Sequence, residues 1–420
     1  MAAKRNIKVY ADWQGLTKPV LMGILSSERL KGKEIFSFNY MKEWLDSGYA
    51  QYIDPALQLY TGPQYLAEDK SNFGVFLDSS PDRWGRLLMR RREAALARKD
   101  SRKENTLFET DYLLGVYDGH RMGGIRFKES EEGNFLNDNS VMASPPWTSL
   151  KELEFASLKL ERDDVVNDPD YLKWLNMLVA PGSSLGGARP KASVLDDRQH
   201  LWIAKFPSNH DDHDMGGWEM VANELAVMSG LNVAEGTVKK FSKKYHSFLT
   251  KRFDRTTKGK RIHFASAMTL LGLNDGNDHS DGISYFHIAE FIMQNGANPN
   301  KDLEELWRRI VFNICISNTD DHLRNHGFLL TDKGWILSPA YDINPVTGST
   351  GLKLNISLND NALELDLALE VAREFRLNSK RAEQVIKKIK QAINKWQTIA
   401  EKYKILKAEQ ELMESAFYLR

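Results

Sequence analysis

Two side chains that could serve one reaction stand five positions apart in the segment Ser317-Asn318-Thr319-Asp320-Asp321-His322-Leu323-Arg324-Asn325. An aspartate placed as Asp320 can take the proton of an attacking hydroxyl. An asparagine placed as Asn325 can turn its amide oxygen to a magnesium ion beside phosphate groups. The pair alone is a weak signal, because both residue types are common in loops. A third position raises its weight. Apolar runs at 327–330 and 335–337 flank Thr331-Asp332-Lys333-Gly334, a hairpin pattern with glycine in the turn. Such a hairpin returns the chain and brings Asp342, in Ser338-Pro339-Ala340-Tyr341-Asp342-Ile343, to its open end near Asn325. Two oxygen ligands for a metal and one base for a hydroxyl are parts for phosphoryl transfer.

Protein kinases carry these parts in the same order, a catalytic-loop Asp-x-x-x-x-Asn followed by the metal-binding aspartate of Asp-Phe-Gly. The Phe-Gly is missing here, so no switch built on that phenylalanine is assumed. A lysine and a phosphate cradle should lie upstream. Leu201-Trp202-Ile203-Ala204-Lys205 reads as a strand ending in lysine, of the same character as the kinase Val-Ala-Ile-Lys. Glu219 is the first choice to orient Lys205 and Glu224 the second. The cradle candidate is Gly182-Ser183-Ser184-Leu185-Gly186-Gly187-Ala188-Arg189-Pro190-Lys191, whose glycines let backbone N–H groups approach phosphate while Arg189 and Lys191 add charge. It is not a Walker A loop, because Pro190 precedes Lys191 and Ala192 follows it.

Two rival chemistries use the same residues. Gly182-Ser183-Ser184-Leu185-Gly186 fits Gly-x-Ser-x-Gly, the nucleophile elbow of α/β-hydrolases, which needs a strand before the serine and a helix after it. Pro190 and the run at 192–195 argue for extended chain there instead. His322 and His326 could ligate one metal if a helix carried both. The Asn-Thr-Asp-Asp run and Gly327 argue against that helix, and His326 is read as a hydrogen-bonded structural residue.

The rest of the chain must position these groups. Its 420 residues with 42% hydrophobic positions suffice for two or three packed units. Lys+Arg and Asp+Glu both number 57, so no global positive field draws the chain to nucleic acid or an anionic membrane. One cysteine, Cys315, excludes an internal disulfide and a Cys-rich zinc site and fits a reducing, cytoplasmic setting. No apolar h-region or run of membrane-spanning length is found, so export and membrane insertion are not expected.

Strand-like runs around residues 7–10, 20–24 and 35–38 predict a β-rich opening. Residues 81–103 predict an amphipathic helix rich in arginine, read first as a solvated face. The polar segment 128–147, ending in Pro145-Pro146, reads as a linker. Strands at 201–205 and 247–250 enclose a helix at 218–230. From Asp302 the pattern is mainly helical, with stripes at Leu303, Leu306, Trp307 and Ile310 and again from Val385 to Trp396 behind a candidate cap at Ser379.

With these residues assembled, the chain resembles the HipA family of serine/threonine kinase toxins of bacterial toxin–antitoxin pairs. Phe76-Leu77-Asp78-Ser79-Ser80-Pro81-Asp82-Arg83-Trp84-Gly85-Arg86 is similar to a signature of the family's N-terminal subdomain. Residues 184–191 match its phosphate-binding loop, and Ala204-Lys205-Phe206-Pro207 its ATP-lysine strand. Lys251-Arg252-Phe253-Asp254-Arg255 matches its hinge, and Asn318-Thr319-Asp320-Asp321-His322, Asn325 and Tyr341-Asp342 its catalytic and metal-binding segments.

The resemblance implies an α/β (α+β), two-lobed protein-kinase-like fold with an extra β-rich N-terminal subdomain and a helical C-terminal lobe, divided as 1–130, 131–255 and 256–420. It implies ATP and Mg2+ as cofactors. Asp320 would be the catalytic residue, and Asn325 and Asp342 would hold the metal. Nucleotide contacts would come from Leu185, Gly186, Gly187, Ala188, Arg189, Pro190, Lys191, Lys205, Lys251, Arg252, Phe253, His322, Asn325, Tyr341 and Asp342. Family members autophosphorylate a serine of the phosphate loop, by position Ser184, with Ser183 beside it. The implied partners are a protein substrate and a HipB-like helix-turn-helix antitoxin, with DNA reached only through that antitoxin. A catalytically weak member acting within an antitoxin–DNA repressor complex is the alternative.

Overall fold

A computed structural model describes residues 4–30, 32–140, 143–179, 187, 189–242 and 244–417. The chain forms two compact units. The first comprises Met1–Asn209, Arg252–Ala265 and Leu330–Asp332, and the second His210–Lys251, Ser266–Leu329 and Lys333–Arg420.

The β-rich opening of the first unit is an antiparallel sheet of β1 (Arg5–Ala11), β2 (Val20–Leu30), β3 (Lys33–Tyr40), β4 (Gln64–Tyr65) and β5 (Ile125–Lys128), in the order β4-β3-β2-β1-β5. Period-two alternation turns Ile7, Val9 and Ala11 of β1 and Phe36, Phe38 and Tyr40 of β3 inward, where all are buried. Gly23 on β2 is required by that packing, since a Cβ there would lie 2.3 Å from the Phe38 ring. Behind α1 (Lys42–Leu45), α2 (Gly74–Asp78) sets Phe76 against Phe38 and Phe127 of the sheet.

The expected basic helix is α3 (Arg83–Lys99), capped by Asp82, whose carboxylate accepts from the Gly85 N–H. Its charges are partly internal: Arg86 donates twice to Glu109 of α4 (Glu109–Gly115), at 2.6 and 2.7 Å. The segment expected as a linker is docked instead. Leu136 N–H bonds Phe127 O at 2.9 Å, and Phe135 meets Tyr10 edge-on beneath the Arg126 guanidinium. Its aromatic ring and backbone donors extend the sheet edge, so residue 130 falls inside the first unit. That unit continues through α5 (Leu150–Leu160), α6 (Tyr171–Val179) and the antiparallel pair β6 (Lys191–Leu195) and β7 (Leu201–Lys205).

In the second unit α7 (Met215–Ser229) ends at Gly230, whose φ of +83° only glycine adopts freely. The antiparallel pair β8 (Gly236–Lys239) and β9 (Ser247–Lys251) follows. The chain re-enters this unit at the end of β10 (Phe264–Ser266), and α8 (Ala267–Leu270), α9 (Tyr285–Asn295) and α10 (Pro299–Cys315) lead to the hairpin of β11 (Gly327–Thr331) and β12 (Gly334–Leu337), of which Leu330–Asp332 are counted with the first unit. Helices α11 (Leu365–Glu370), α12 (Ser379–Ile393), α13 (Trp396–Lys402) and α14 (Lys407–Met413) close the chain. Two local expectations are corrected. The cap of α12 is Asn378, whose side chain accepts from the Arg381 N–H, and Ser379 is the first helical residue. Trp396 begins its own helix, because the backbone breaks after Ile393. Among the described residues no helix is long and apolar enough to cross a membrane.

Candidate functional site

The buried stripe of α10, including Leu303, Leu306, Trp307, Ile310 and Ile314, fixes the helix that leads into the catalytic-loop candidate. At its end Ser317 takes φ +50°, a left-handed conformation that costs a non-glycine residue energy. The Asn318 N–H closes back on Asn313 O at 2.9 Å, a Schellman-type stop, and the Asn318 side chain donates to Asn313 Oδ1 at 3.0 Å. The chain therefore leaves the helix in one defined direction.

The two aspartates that follow diverge. Asp321 is buried, accepting from the Tyr285 hydroxyl at 2.6 Å and facing His326 Nε2 at 2.8 Å. Burial works to raise its carboxyl pKa, but the His326 and Tyr285 interactions prevail and hold it below the usual range. His326 is thus committed to Asp321, the structural role expected of it. His322 precedes a short 3-10 turn, Leu323–Asn325, so the two histidines do not share a helix face. Asp320 remains open to solvent. Its carboxyl is pushed up by partial burial, eased by His322 and pushed further by the charge of Asp342.

That last effect puts Asp320 and Asp342 in one electrostatic neighbourhood. The open end of the hairpin is tied by the Ser338 N–H to Gly327 O at 2.9 Å and by the Tyr341 hydroxyl to Arg324 O at 2.7 Å. Asp302 and Arg309 of α10 hold the return strand, through the Leu337 N–H at 3.0 Å and Ser338 O at 2.6 Å. Asp342 itself has φ +57° and accepts from the Asn344 amide at 3.1 Å. Asn325 donates an N–H of its side-chain amide to Asp320 O at 3.1 Å, so the amide oxygen is the atom that could face a cation. One carboxylate and one amide oxygen suit magnesium, which keeps waters and phosphate oxygens for its other positions.

Asp342 and Tyr341 line a small cavity together with Glu219 and Asn223 of α7. Glu219 is buried there, whereas the second-choice carboxylate is otherwise engaged. Glu224 takes Lys402 at 2.8 Å and the Tyr403 hydroxyl at 2.7 Å, so it is not available to orient a lysine. In the first unit Lys205 ends β7 and is 7% exposed, opposite Lys191 of β6.

The loop candidates divide. Ser184, Leu185, Gly186 and Ala188, with Ser183, lie outside the described residues. Gly187, Arg189, Pro190 and Lys191 are described, and Lys191 has a commitment that spacing did not reveal. Its ammonium is buried against Asp82 at 2.7 Å and donates to Gly187 O at 3.0 Å, while Trp84 Nε1 donates to Lys191 O at 3.2 Å. The charge expected to meet phosphate is neutralised inside the first unit. Nothing local in the sequence marks Asp82 as the partner of a lysine more than a hundred residues away. The elbow reading also meets a geometric objection, since a helix, α6, precedes the motif and a strand, β6, follows it, the reverse of what an elbow requires.

The hinge candidates sit where the chain passes from the second unit to the first, between Lys251 and Arg252. Lys251 pairs with Glu235 at 3.3 Å. Arg252 is fully committed by its side chain, bonding Asp254 at 2.7 and 2.9 Å and His120 O at 2.5 Å, and Phe253 packs beside Phe264. Burial opposes the Asp254 charge, yet Arg252 and Arg255 hold its carboxyl far below the usual range. The backbone N–H groups of Lys251 and Arg252 are themselves bonded, to Glu235 O at 2.8 Å and Leu201 O at 2.9 Å.

These elements define a mixed α/β chain, and a solved structure shares its fold. The solved structure of the Shewanella oneidensis MR-1 toxin–antitoxin system HipA, HipB and its operator DNA complex matches over 98% of this chain and 94% of that chain, with a TM-score of 0.65 and 16% identity. The chain belongs to the family of the HipA-like C-terminal domain, whose model matches residues 183–396. Among curated relatives, the serine/threonine-protein kinase toxin HipA of Shewanella oneidensis is 23% identical over 297 residues, 64% of this chain and 65% of that protein. A Haemophilus influenzae relative is 27% identical over 184 residues, 40% of this chain and 53% of its own length. The chain thus spans between half and two thirds of these relatives.

Proposed function

We propose that this chain is a HipA-type serine/threonine protein kinase that transfers the γ-phosphate of ATP to a hydroxyl of another protein. The observation that carries the reading is the arrangement in the second unit: Asp320 open to solvent, Asn325 bonded through its amide nitrogen to the Asp320 backbone, and Asp342, in a left-handed conformation, close enough for its charge to act on Asp320. Asn325 and Asp342 would hold magnesium, which when bound neutralises phosphate charge and polarises the transferred group. Lys205 would hold phosphate oxygens, with Gly187 and Arg189 of the loop beside them. Lys191 would instead anchor that loop through Asp82. The backbone of 251–253 would receive the base, and His322 and Tyr341 would complete the nucleotide contacts.

Asp320 would orient the substrate hydroxyl and take its proton as the oxygen attacks. Its backbone is held by the Asn325 amide, so base and metal ligand move as one piece. Ser184 is proposed as an autophosphorylation site: a phosphate there, of roughly −1.5 to −2 charge, would compete with ATP for the same donors. The named partner of the structural relative supports a HipB-like helix-turn-helix antitoxin as the restraining partner, and a toxin's role for the kinase. Titration calorimetry tests the metal assignment. ATP should bind wild type more tightly with magnesium than without, and Asp342→Ala should remove that difference. Equal magnesium enhancement in the two proteins refutes it.

A further inference from the structure

Helix α7 carries Glu219 into the cavity that Asp342 lines, yet the start of α7 is not completed by its own sequence. Its cap, Asp214, accepts from the Gly217 and His246 N–H groups, at 3.0 and 2.9 Å. In a capping box the third helical residue returns a carboxylate to the cap's backbone N–H. Here that residue is Gly217 and has none. Glu409 of α14 supplies it. Its Oε1 accepts from the Asp214 N–H at 2.7 Å and from Trp218 Nε1 at 2.8 Å.

The same C-terminal segment grips α7 twice more. Trp218, 1% exposed, packs beside the Trp396–Phe417 stack, whose rings lie 4.7 Å apart at 7°. Lys402 and Tyr403 bind Glu224 one and a half turns along the helix. Contacts at the first turn, an adjacent tryptophan and a later turn fix a helix against both sliding and rotation. Glu219 immediately follows Trp218, so a small rotation of α7 about its axis moves its carboxylate out of the cavity.

We propose that the C-terminal segment 396–417 is a brace that sets the register of α7, and that Glu409 is a positioning residue acting through Glu219. The inference rests on the kinase reading above. It predicts a property of this segment that a mere contribution to folding would not give, namely coupling to one carboxylate on another helix.

The test uses the full chain with Glu409→Gln, Glu409→Ala, the exposed neighbour Glu411→Ala as control, Glu219→Ala, and the Glu219→Ala/Glu409→Ala pair. Both bonds to Glu409 end on one oxygen, which glutamine retains, so Glu409→Gln should keep most activity. Glu409→Ala should lower kcat for ATP-dependent phosphotransfer about tenfold or more, with a smaller change in KM for ATP, because misplacement and not binding is at fault. The double variant should be no slower than Glu219→Ala alone, since the two losses share one cause. Amide hydrogen exchange at the first turn of α7 should quicken in Glu409→Ala and not in Glu411→Ala.

Unchanged exchange in α7, activity in Glu409→Ala equal to that in Glu411→Ala, or losses that multiply in the double variant would each overturn the brace while leaving the kinase reading intact. A wild type that is folded but transfers no phosphate overturns that reading, and the role of Glu409 with it.

Discussion

At the scale of single residues, the adjacent aspartates 320 and 321 show how one turn divides labour. Asp320 meets solvent and is assigned to the reacting hydroxyl, an interaction made mainly in the transition state. Asp320→Asn and Asp320→Ala should therefore lower phosphotransfer by roughly 10²–10⁴-fold while leaving ATP affinity within a small factor of wild type. Filter assays beside calorimetry check both halves, and comparable turnover by the variants would place the base elsewhere. Asp321 has the opposite profile. Its carboxylate satisfies a buried tyrosine and a buried histidine, so Asp321→Ala leaves both without their partner and should cost about 3 kcal/mol of unfolding free energy. Its pKa is lowered in the fold, so that stabilisation is present above the ordinary value of 3.8 and fades as pH falls through the lowered value. Urea titrations of wild type and Asp321→Asn should differ at pH 7 and converge in strong acid. A gap that widens on acidification would contradict the sign.

At the scale of elements, what the sequence revealed and what it hid follow from the range of the interactions. Strand alternation in β1 and β3, the stripe of α10 and the turn of β11–β12 are local patterns, and all three were legible. The candidates Asp320, Asn325 and Asp342 came from equally local signals, the spacing in one loop and the turn of one hairpin, and their roles stay proposals. The anchors that hold the elements together were not legible. Asp82 with Lys191, Arg252 with His120, and Glu409 with Trp218 join residues more than a hundred positions apart, and no local periodicity marks such pairs. The linker reading failed for a related cause: residues 128–147 are polar in composition, yet Phe135 and the Leu136 backbone find partners on the sheet.

The Asp82–Lys191 pair, with both side chains 3% exposed, gives this scale its prediction. Removing one partner strands a buried charge, so Asp82→Ala should destabilise the first unit by about 3–5 kcal/mol. The Asp82→Leu/Lys191→Met pair, which removes both charges and keeps volume, should cost markedly less. Denaturant melts of the three proteins decide it, and a double variant worse than the single would show that the pair is more than a neutralised contact.

At the scale of the whole molecule, charge and family bear on what the chain reaches. With 57 basic and 57 acidic residues it has no net field to concentrate it on DNA, so a place on an operator would depend on a DNA-binding partner. Its own reach would be to protein hydroxyls. The groups proposed to act on ATP and on the attacking oxygen would not select the sequence that flanks it. The target is best sought without presupposing it. Wild type and Asp320→Ala are expressed at equal levels in the same bacterial host, and phosphopeptides are quantified before growth diverges. A short set of Ser or Thr sites on cytosolic proteins should rise several-fold with wild type alone, together with a phosphoserine at Ser183 or Ser184 of the chain itself. Asp320→Ala controls for burden and for host kinases, since it should fold and bind nucleotide as wild type does. Sites on other proteins without phosphate on the loop would end the autophosphorylation proposal and keep the kinase. Identical phosphoproteomes from two folded, ATP-binding proteins would instead end the kinase assignment, leaving a nucleotide-binding component of a repressor complex.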